Sequence, residues 1–518
     1  MLSFPWYLSA LIGFLSLSQE ILWVRILGFS YQTLPQAFSF VLATYLLGIA
    51  LGAALGKRLC ERDYNLYVVA AVILGLAGIF DAAVPRIVAV ATVPGDPNIQ
   101  VPGILIVLAS SLKSSLFPIV HQLGSTSGRR LGRSVSRIYF ANILGSSLGP
   151  VVTGFLALDH LRVDDCFAIS AATCLLAAAA CAMKGGGLRT ISWTAVAATL
   201  GCVIALPLPA GNSGVLPSLV YGTFSGPVTH FSTNRHGIVH TTDGPGGDVV
   251  YGGNAYDGLA TTDVDHNYNR LDRLYLLALL HPAPRHVLVI GMSTGAWTRA
   301  VEGFPSVVTI DVVEINPAYV ALTRDYPQLA PLLNDKRLRL HIDDGRRWLR
   351  RNPDSRFDMV IQNTTFHWRA NATSLLSREY FSEVRAHLNP GGIMTANTTG
   401  SLDVLATGRA AFSHAYRYAN FLYASDSPLV PVISRLESVR RPDGSMFSLG
   451  AAPHGSVVAM LSAADLEPIE SFTARHGPGE VISDDNMLTE YRHGRQFGPA
   501  WLDASTNRRA SLFEIDDR

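Results

Sequence analysis

The feature that most limits how this chain can fold is a break near Pro207. Before it run apolar segments long enough to cross a lipid bilayer, and after it charges are spread through an ordinary mixed globular sequence. A hydrocarbon core about 30 Å thick needs roughly 20 mainly apolar residues per helical crossing. Seven segments meet that length, approximately Phe4–Leu27, Gln36–Gly56, Leu66–Thr92, Val101–Leu123, Ile138–Leu158, Val163–Met183 and Ile191–Pro209. The first is read as a crossing rather than a cleaved leader, because it lacks a basic leading region and a small-residue cleavage site. With 518 residues, each half has enough chain for its own core. The sequence therefore predicts a multi-pass α-helical domain over residues 1–210, set in the lipid bilayer of the cell membrane.

Lysine and arginine collect in alternate connections: Lys57, Arg58 and Arg62, then Arg129, Arg130, Arg133 and Arg137, then Lys184 and Arg189. The connections between these carry little beyond Arg162. By the positive-inside bias, the N-terminus is cytoplasmic. Seven crossings leave the second half outside, whereas loss of the polar fifth or the irregular seventh segment returns it to the cytoplasm. Gln19, Glu20 and Arg25, Asp81 and Arg86, and Lys113 and His121 fall inside the segments, where ionisable groups are costly unless paired or facing water. The spacings Glu20–Arg25 and Asp81–Arg86 suggest loose pairing along one helix; contact with a transported or lipid substrate is the alternative. Gly48-x3-Gly52-x3-Gly56 and Gly145-x3-Gly149 are patterns of close helix packing. All five cysteines lie in the first half, at spacings of neither a metal pair nor a disulfide framework. A net charge of +1 with 16% charged residues gives no reason to expect a nucleic-acid partner.

In the second half, residues 216–262 are rich in Thr, Val, Tyr and Gly and read as a small β region. Residues 263–518 begin with a helix at Leu271–Leu280 and a Pro-containing breaker. A buried strand from His286 then enters the turn Gly291-Met292-Ser293-Thr294-Gly295, the ligand corner of a Rossmann-type fold. A second strand, Val307–Ile315, places Glu314 at its end, where an acidic residue about 20 residues beyond the glycine turn accepts hydrogen bonds from ribose hydroxyls. A third, Leu338–Ile342, leads into Asp343-Asp344-Gly345, and a fourth, Phe357–Gln362, into Asn363-Thr364-Thr365-Phe366-His367-Trp368. A helix ending at Leu388 and a fifth strand, Ile393–Asn397, complete an α/β pattern with a parallel sheet. Residues 402–518 are expected to complete and cover it. The histidines show no metal-ligand spacing, so no metal is expected.

The ordered set VLVIG with its glycine turn, VEINP, DDGR, FDMVIQN, LLSREYF and NPGG, over about Tyr251–Ser401, resembles the spermidine synthase family of polyamine aminopropyltransferases, including membrane-fused forms. The tail Ser483-Asp484-Asp485-Asn486 is similar to that of fused members. The resemblance implies a Rossmann-like domain of the S-adenosylmethionine-methyltransferase type, with Gly291, Thr294 and Gly295 at the cofactor turn, Glu314 on the ribose, and Asp344 and Gly345 near adenine. It implies decarboxylated S-adenosylmethionine or S-adenosylmethionine as cofactor and a small amine as acceptor. This sequence departs from the family where the aminopropyl chain and amine are handled. Thr294 replaces an aspartate of the glycine turn, Asn363 the catalytic aspartate, and Thr261 a glutamine beyond Asp257-Gly258. The family's Tyr-His-Glu has no counterpart between Asn269 and Leu280. A neutral amide cannot take the proton from an attacking amine.

Three functions follow as expectations. One is aminopropyl transfer in polyamine biosynthesis, with Asp343, Asp344 or His367 replacing the lost base. Another is methyl transfer from S-adenosylmethionine to a different acceptor, with His367 and Trp368 lining its pocket; Asn363-Thr364-Thr365-Phe366 faintly echoes the turn by which amino-methyltransferases hold a planar amine. The third is a non-catalytic ligand-binding or transport-associated membrane protein, in which Asn363 and Asn397 form a polar site without a base. The sequence does not name the acceptor and leaves open whether the chain forms a homo-oligomer.

Overall fold

The computed structural model describes residues 3–91, 100–125, 131–186, 201, 214–220, 226–244, 246–363, 366–487, 489 and 490. The chain divides into two units, one comprising residues 1–221 with 233–235 and the other the remainder.

Among the described residues, six helices of the first unit are long and apolar enough to cross a membrane. They are α1 (Phe4–Ser30), α2 (Pro35–Cys60), α3 (Leu66–Ala91), α4 (Gln100–Gly124), α5 (Leu131–Val152, carried on to His160 by a π-helical turn at Thr153–Ala157) and α6 (Val163–Gly185). The seventh apolar segment and Cys202 lie, Gly201 apart, outside the described residues. The main packed pairs are α2 with α4, α1 with α5 and α3 with α6. Both glycine stripes sit in such pairs. A Cβ on Gly48, Gly52 or Gly56 would strike the serine-rich face of α4, and one on Gly145 would strike the backbone carbonyl of Ala10. Outward faces remain apolar, with Leu46, Leu47, Leu51, Phe140 and Phe155 exposed. Gly145→Ala is expected to destabilise the bundle by about 1–3 kcal/mol through overpacking. Gly75→Ala, where nothing lies within 4 Å of the new methyl, serves as the neutral control in thermal unfolding in detergent.

The polar groups of this unit pair across helices rather than along them. Lys113 Nζ lies 2.8 Å from both Asp81 oxygens and 2.8 Å from Gln19 Oε1. Gln19 Nε2 donates to Asp81 Oδ1 at 2.6 Å, and Ser170 Oγ donates to Asp81 Oδ2 at 2.7 Å. Four helices thus meet at one carboxylate. The Asp81–Arg86 spacing gives way to Asp81–Lys113 because five residues at 100° per residue leave two side chains about 140° apart around a helix.

The second unit contains two sheets. The smaller has strands β1 (Val228–Asn234), β2 (Gly237–Thr242), β3 (Val249–Gly252) and β4 (Ala255–Leu259), in that order. Helix α7 (Asp272–Leu280) then leads into the larger sheet. Its parallel core is β5 (His286–Ile290), β6 (Thr309–Glu314), β7 (Leu338–Ile342), β8 (Phe357–Gln362) and β9 (Leu388–Asn397). Antiparallel β10 (His414–Tyr418), β11 (Phe421–Ser425) and β12 (Glu467–Pro468) extend it, giving the order β12-β10-β11-β9-β8-β5-β6-β7. Helices α8 (Ala296–Val301), α9 (Pro317–Asp325), α10 (Gly345–Arg351), α11 (Arg378–Ala386) and α12 (Leu402–Ala411) follow β5 to β9 in turn.

Both faces of the central strand β5 are covered, which explains its apolar run Val287–Ile290. Val287 and Val289 of β5 belong to one hydrophobic cluster, Leu288 and Ile290 to another. Three motifs serve to hold the sheet together. Arg346 makes paired hydrogen bonds to Asp484 at 2.7 and 2.8 Å and also binds Glu383, while Ser377 Oγ donates to Asp484 at 2.6 Å. The arginine after Asp-Asp-Gly, the serine that caps α11 and the tail aspartate therefore form one tie. Residues 491–518 are outside the described part of the chain.

Candidate functional site

The strand order reverses direction between β5 and β8, and at such a switch point the loops leaving the carboxyl ends part to form a crevice. A cleft of about 650 Å³, counted with the space open to solvent, lies there. Tyr256, Asp257 and Gly258 of β4 form one wall, and Asn269, Arg270 and Arg273 at the start of α7 continue it. Trp297 of α8, Asn363 and Phe366 after β8, Asn397 and Thr399 after β9, and Asn420 and Phe421 at β11 complete it.

On the β6 side stands the corner predicted for a nucleoside. Gly291 and Gly295 have φ of 83° and 82°, the left-handed region that glycine adopts without strain. Glu314 is 3% exposed at the end of β6. Its Oε2 accepts from the Met292 N–H at 2.7 Å and its Oε1 from the Asn316 N–H at 2.8 Å. A carboxylate has about four acceptor sites, so capacity remains beyond these bonds. Burial pushes this carboxyl up to about 7, against the Asn316, Met292 and Ser293 N–H groups, with Asp257 adding to the rise. Asp344 caps α10, accepting from the Arg347 N–H at 2.8 Å, and Gly345 packs against Ile290 too closely for a side chain. The left-handed glycines of the turn stand beside a buried carboxylate with acceptor capacity, the kind of group that could hold a diol.

The remaining sequence-derived residues are dispersed. Thr294 is 2% exposed, and its hydroxyl turns to the Leu259 carbonyl at 3.3 Å. Asp343 accepts from Arg347 at 2.5 Å and from Arg351 at 3.4 Å. Partial burial opposes its ionisation, but Arg347 and Arg351 hold its carboxyl below the usual range. Asn363 lines the cleft, and its Oδ1 accepts from Asn397 Nδ2 at 3.1 Å. Asn397 Oδ1 in turn accepts from Asn420 Nδ2 at 2.9 Å, which makes a relay of three amides. His367 Nδ1 lies 2.6 Å from Thr399 Oγ1, which donates to the Thr398 carbonyl at 2.8 Å. Which ring nitrogen carries the proton depends on the tautomer, since the Thr399 hydroxyl is within reach of both the ring and the Thr398 carbonyl. Phe366 and Trp368 stack with centroids 5.0 Å apart; Thr364 and Thr365 are outside the described residues.

Sequence reasoning passed over Asp257, Arg270, Arg273 and Tyr319 as site residues. The Tyr319 hydroxyl donates to Asp257 Oδ2, and Ser293 Oγ donates to the Asp257 carbonyl at 2.7 Å. Burial pushes the Asp257 carboxyl up to about 6, opposed by that hydroxyl and by the Arg369 charge. Asp257-Gly258 was visible as a motif, and two arginines in Asn269–Arg273 were a signal of charge. What joins them is tertiary.

Residues 275–407 match the family model described as the spermine/spermidine synthase domain. Among curated relatives, a spermine synthase of Arabidopsis thaliana is 30% identical over 113 residues, 22% of this chain and 31% of the relative. A polyamine aminopropyltransferase of Streptococcus uberis is 34% identical over 116 residues, 22% of this chain and 40% of the relative. A spermidine synthase of Coffea arabica is 30% identical over 146 residues, 27% of this chain and 46% of the relative. The chain thus spans less than half the length of each. A solved spermidine synthase in complex with the transition state analogue AdoDATO is 18% identical, covering 39% of this chain and 74% of that one, with a TM-score of 0.35.

Proposed function

From the spermine/spermidine synthase domain that residues 275–407 belong to, we propose that the second unit binds an adenosyl sulfonium ligand and moves an alkyl group from it to an amine. On this reading the first unit anchors the protein in the cell membrane as a multi-pass bundle. The observation that carries the proposal is Glu314, a buried carboxylate with remaining acceptor capacity at the strand end beside the glycine turn. Gly291, Gly295, Asp344 and Gly345 shape the rest of that corner. Bound there, the ligand supplies an electrophilic carbon next to its positive sulfur.

The chain's own task is to hold the amine and take its proton. Asn363 lacks the proton affinity for this, and Asp343 is occupied by arginines. Asp257 lines the cleft with its carboxyl raised to about 6, so near pH 7 it is ionised yet basic enough to accept a proton. Tyr319 orients it. His367 is the second group of the right kind, its Nδ1 joined to Thr399 at the cleft wall. Transfer of an aminopropyl group matches the named relatives; methyl transfer uses the same corner and base.

The proposal is tested by titrating the full chain in detergent with methylthioadenosine, the neutral product of aminopropyl transfer. With Glu314 at about 7 and the carboxylate form required to accept from the ribose, affinity is expected to be about 10-fold weaker at pH 6 than at pH 8. Stability runs the other way. Both Glu314 and Asp257 have folded pKa values above their unfolded ones of about 4. Their contribution to folding is therefore complete below about pH 4 and is lost as pH rises through 6 and 7. A flat affinity profile, or no methylthioadenosine binding by folded protein, rejects the nucleoside reading.

A further inference from the structure

Among the described residues, the charged side chains lining the cleft are two guanidiniums, Arg270 and Arg273, and one carboxylate, Asp257. The cations are held in a built wall. The Arg273 guanidinium lies 5.6 Å over the Phe421 ring, which stacks on Trp297 with centroids 5.2 Å apart. Trp297 Nε1 donates to the Asn269 carbonyl at 3.2 Å, and the Asn269 amide spans the backbone of Leu259, accepting from its N–H at 3.2 Å and donating to its carbonyl at 3.0 Å. Arg270 follows that clamp directly, with a φ of 52°. Both guanidiniums bear on the hydroxyl of Tyr256, where burial opposes ionisation and the two arginines favour it. Arg270, Arg273 and Tyr256 line the same cleft. Across the cleft the relay of Asn363, Asn397 and Asn420 is neutral.

A diamine or triamine is repelled by such a wall at every ammonium except one beside Asp257. A chain with an amine at one end and a carboxylate at the other meets complementary charge at both, and guanidiniums are the side chains suited to gripping a carboxylate. We propose that the cleft takes an amino-acid-like ligand, its carboxylate held by Arg270 and Arg273 and its amine directed to Asp257. The inference builds on the adenosyl-ligand reading and names the substrate class of that site. The carboxylate has two sources: the methionyl part of undecarboxylated S-adenosylmethionine, or the acceptor.

The test uses the full chain in detergent and two matched pairs of probes in calorimetric titration. S-adenosylmethionine against its decarboxylated form reports a donor carboxylate. 4-Aminobutyrate against 1,4-diaminobutane, each with and without methylthioadenosine, reports an acceptor carboxylate. In at least one pair the carboxylate member is expected to bind 10-fold or more tightly, and that pair identifies the source. Arg270→Gln and Arg273→Gln should each weaken the preferred probe by about 10- to 100-fold, the range of a charge-assisted hydrogen bond. Arg270→Lys and Arg273→Lys should retain part of the preference. Preference for the decarboxylated donor and the diamine, or a carboxylate preference that survives both glutamine substitutions, overturns the proposal. Carboxylate binding that depends on the arginines without methylthioadenosine binding removes the adenosyl reading and leaves this one standing. Binding of none of the probes removes both.

Discussion

Asp81→Ala is expected to destabilise the helical bundle by about 3–5 kcal/mol, the cost of leaving a buried charge without its partner. Asp81 is 0% exposed and Lys113 2%. The ammonium's three donors are used by the two Asp81 oxygens and Gln19 Oε1, so removing the carboxylate leaves Lys113 only the weak field of an amide. Lys113→Met is costly for the converse reason, though Gln19 and Ser170 still donate to the stranded carboxylate. The double variant Asp81→Leu with Lys113→Met removes both charges at once and should lose far less than the two single losses added together, since the interaction belongs to the pair. Thermal unfolding in detergent measures all three. Losses under about 1 kcal/mol for both single variants, or strict additivity in the double, would show that the cluster is hydrated rather than closed.

This cluster also shows where sequence reading stops. The helices could be located because an apolar run of crossing length needs no knowledge of its neighbours. The third and fourth strands, Leu338–Ile342 and Phe357–Gln362, were legible to the residue because each is a short stretch of strand-forming residues closed by a turn-forming Asp or Asn. Partners are another matter. Asp81 and Lys113 are 32 positions apart on different helices, and only packing selects that pair over Asp81 and Arg86. The antiparallel strands β10 and β12 were hidden because one is a half-buried, mixed sequence and the other is two residues long; β11, though buried throughout, is only five residues. At the site the same division holds. Glu314 and Asn363 announce themselves by standing at the ends of legible strands. Asp257 gains its raised carboxyl from burial and its hydrogen-bond partner from Tyr319, 62 positions away, and the arginine wall depends on Phe421 and Trp297 stacking beneath it. Thr294 follows the turn in sequence, yet its hydroxyl faces β4, because the backbone that positions the turn also presents the Leu259 carbonyl to it.

Glu314→Ala is expected to weaken methylthioadenosine binding by 100-fold or more. The carboxylate is fixed by the Met292 and Asn316 N–H groups, one per oxygen, with the Ser293 N–H assisting, so it is held in place before a ligand binds. Two ribose hydroxyls donating to it make two hydrogen bonds to a charged group, at about 1.5–3 kcal/mol each; a total of about 3 kcal/mol already corresponds to more than 100-fold. Alanine also strands two buried N–H groups, so some loss of stability must accompany the loss of binding. Glu314→Gln separates the two effects. It keeps an oxygen for one N–H but turns an NH₂ toward the other, and it cannot titrate. Its residual binding should therefore be weak and flat between pH 6 and pH 8, where the unaltered protein changes about 10-fold. The ligand's own protonation is the same for both proteins, so a pH slope that persists in Glu314→Gln would assign the titrating group to Asp257. An alanine variant that stays folded and binds methylthioadenosine within threefold of the unaltered protein would remove Glu314 from the site.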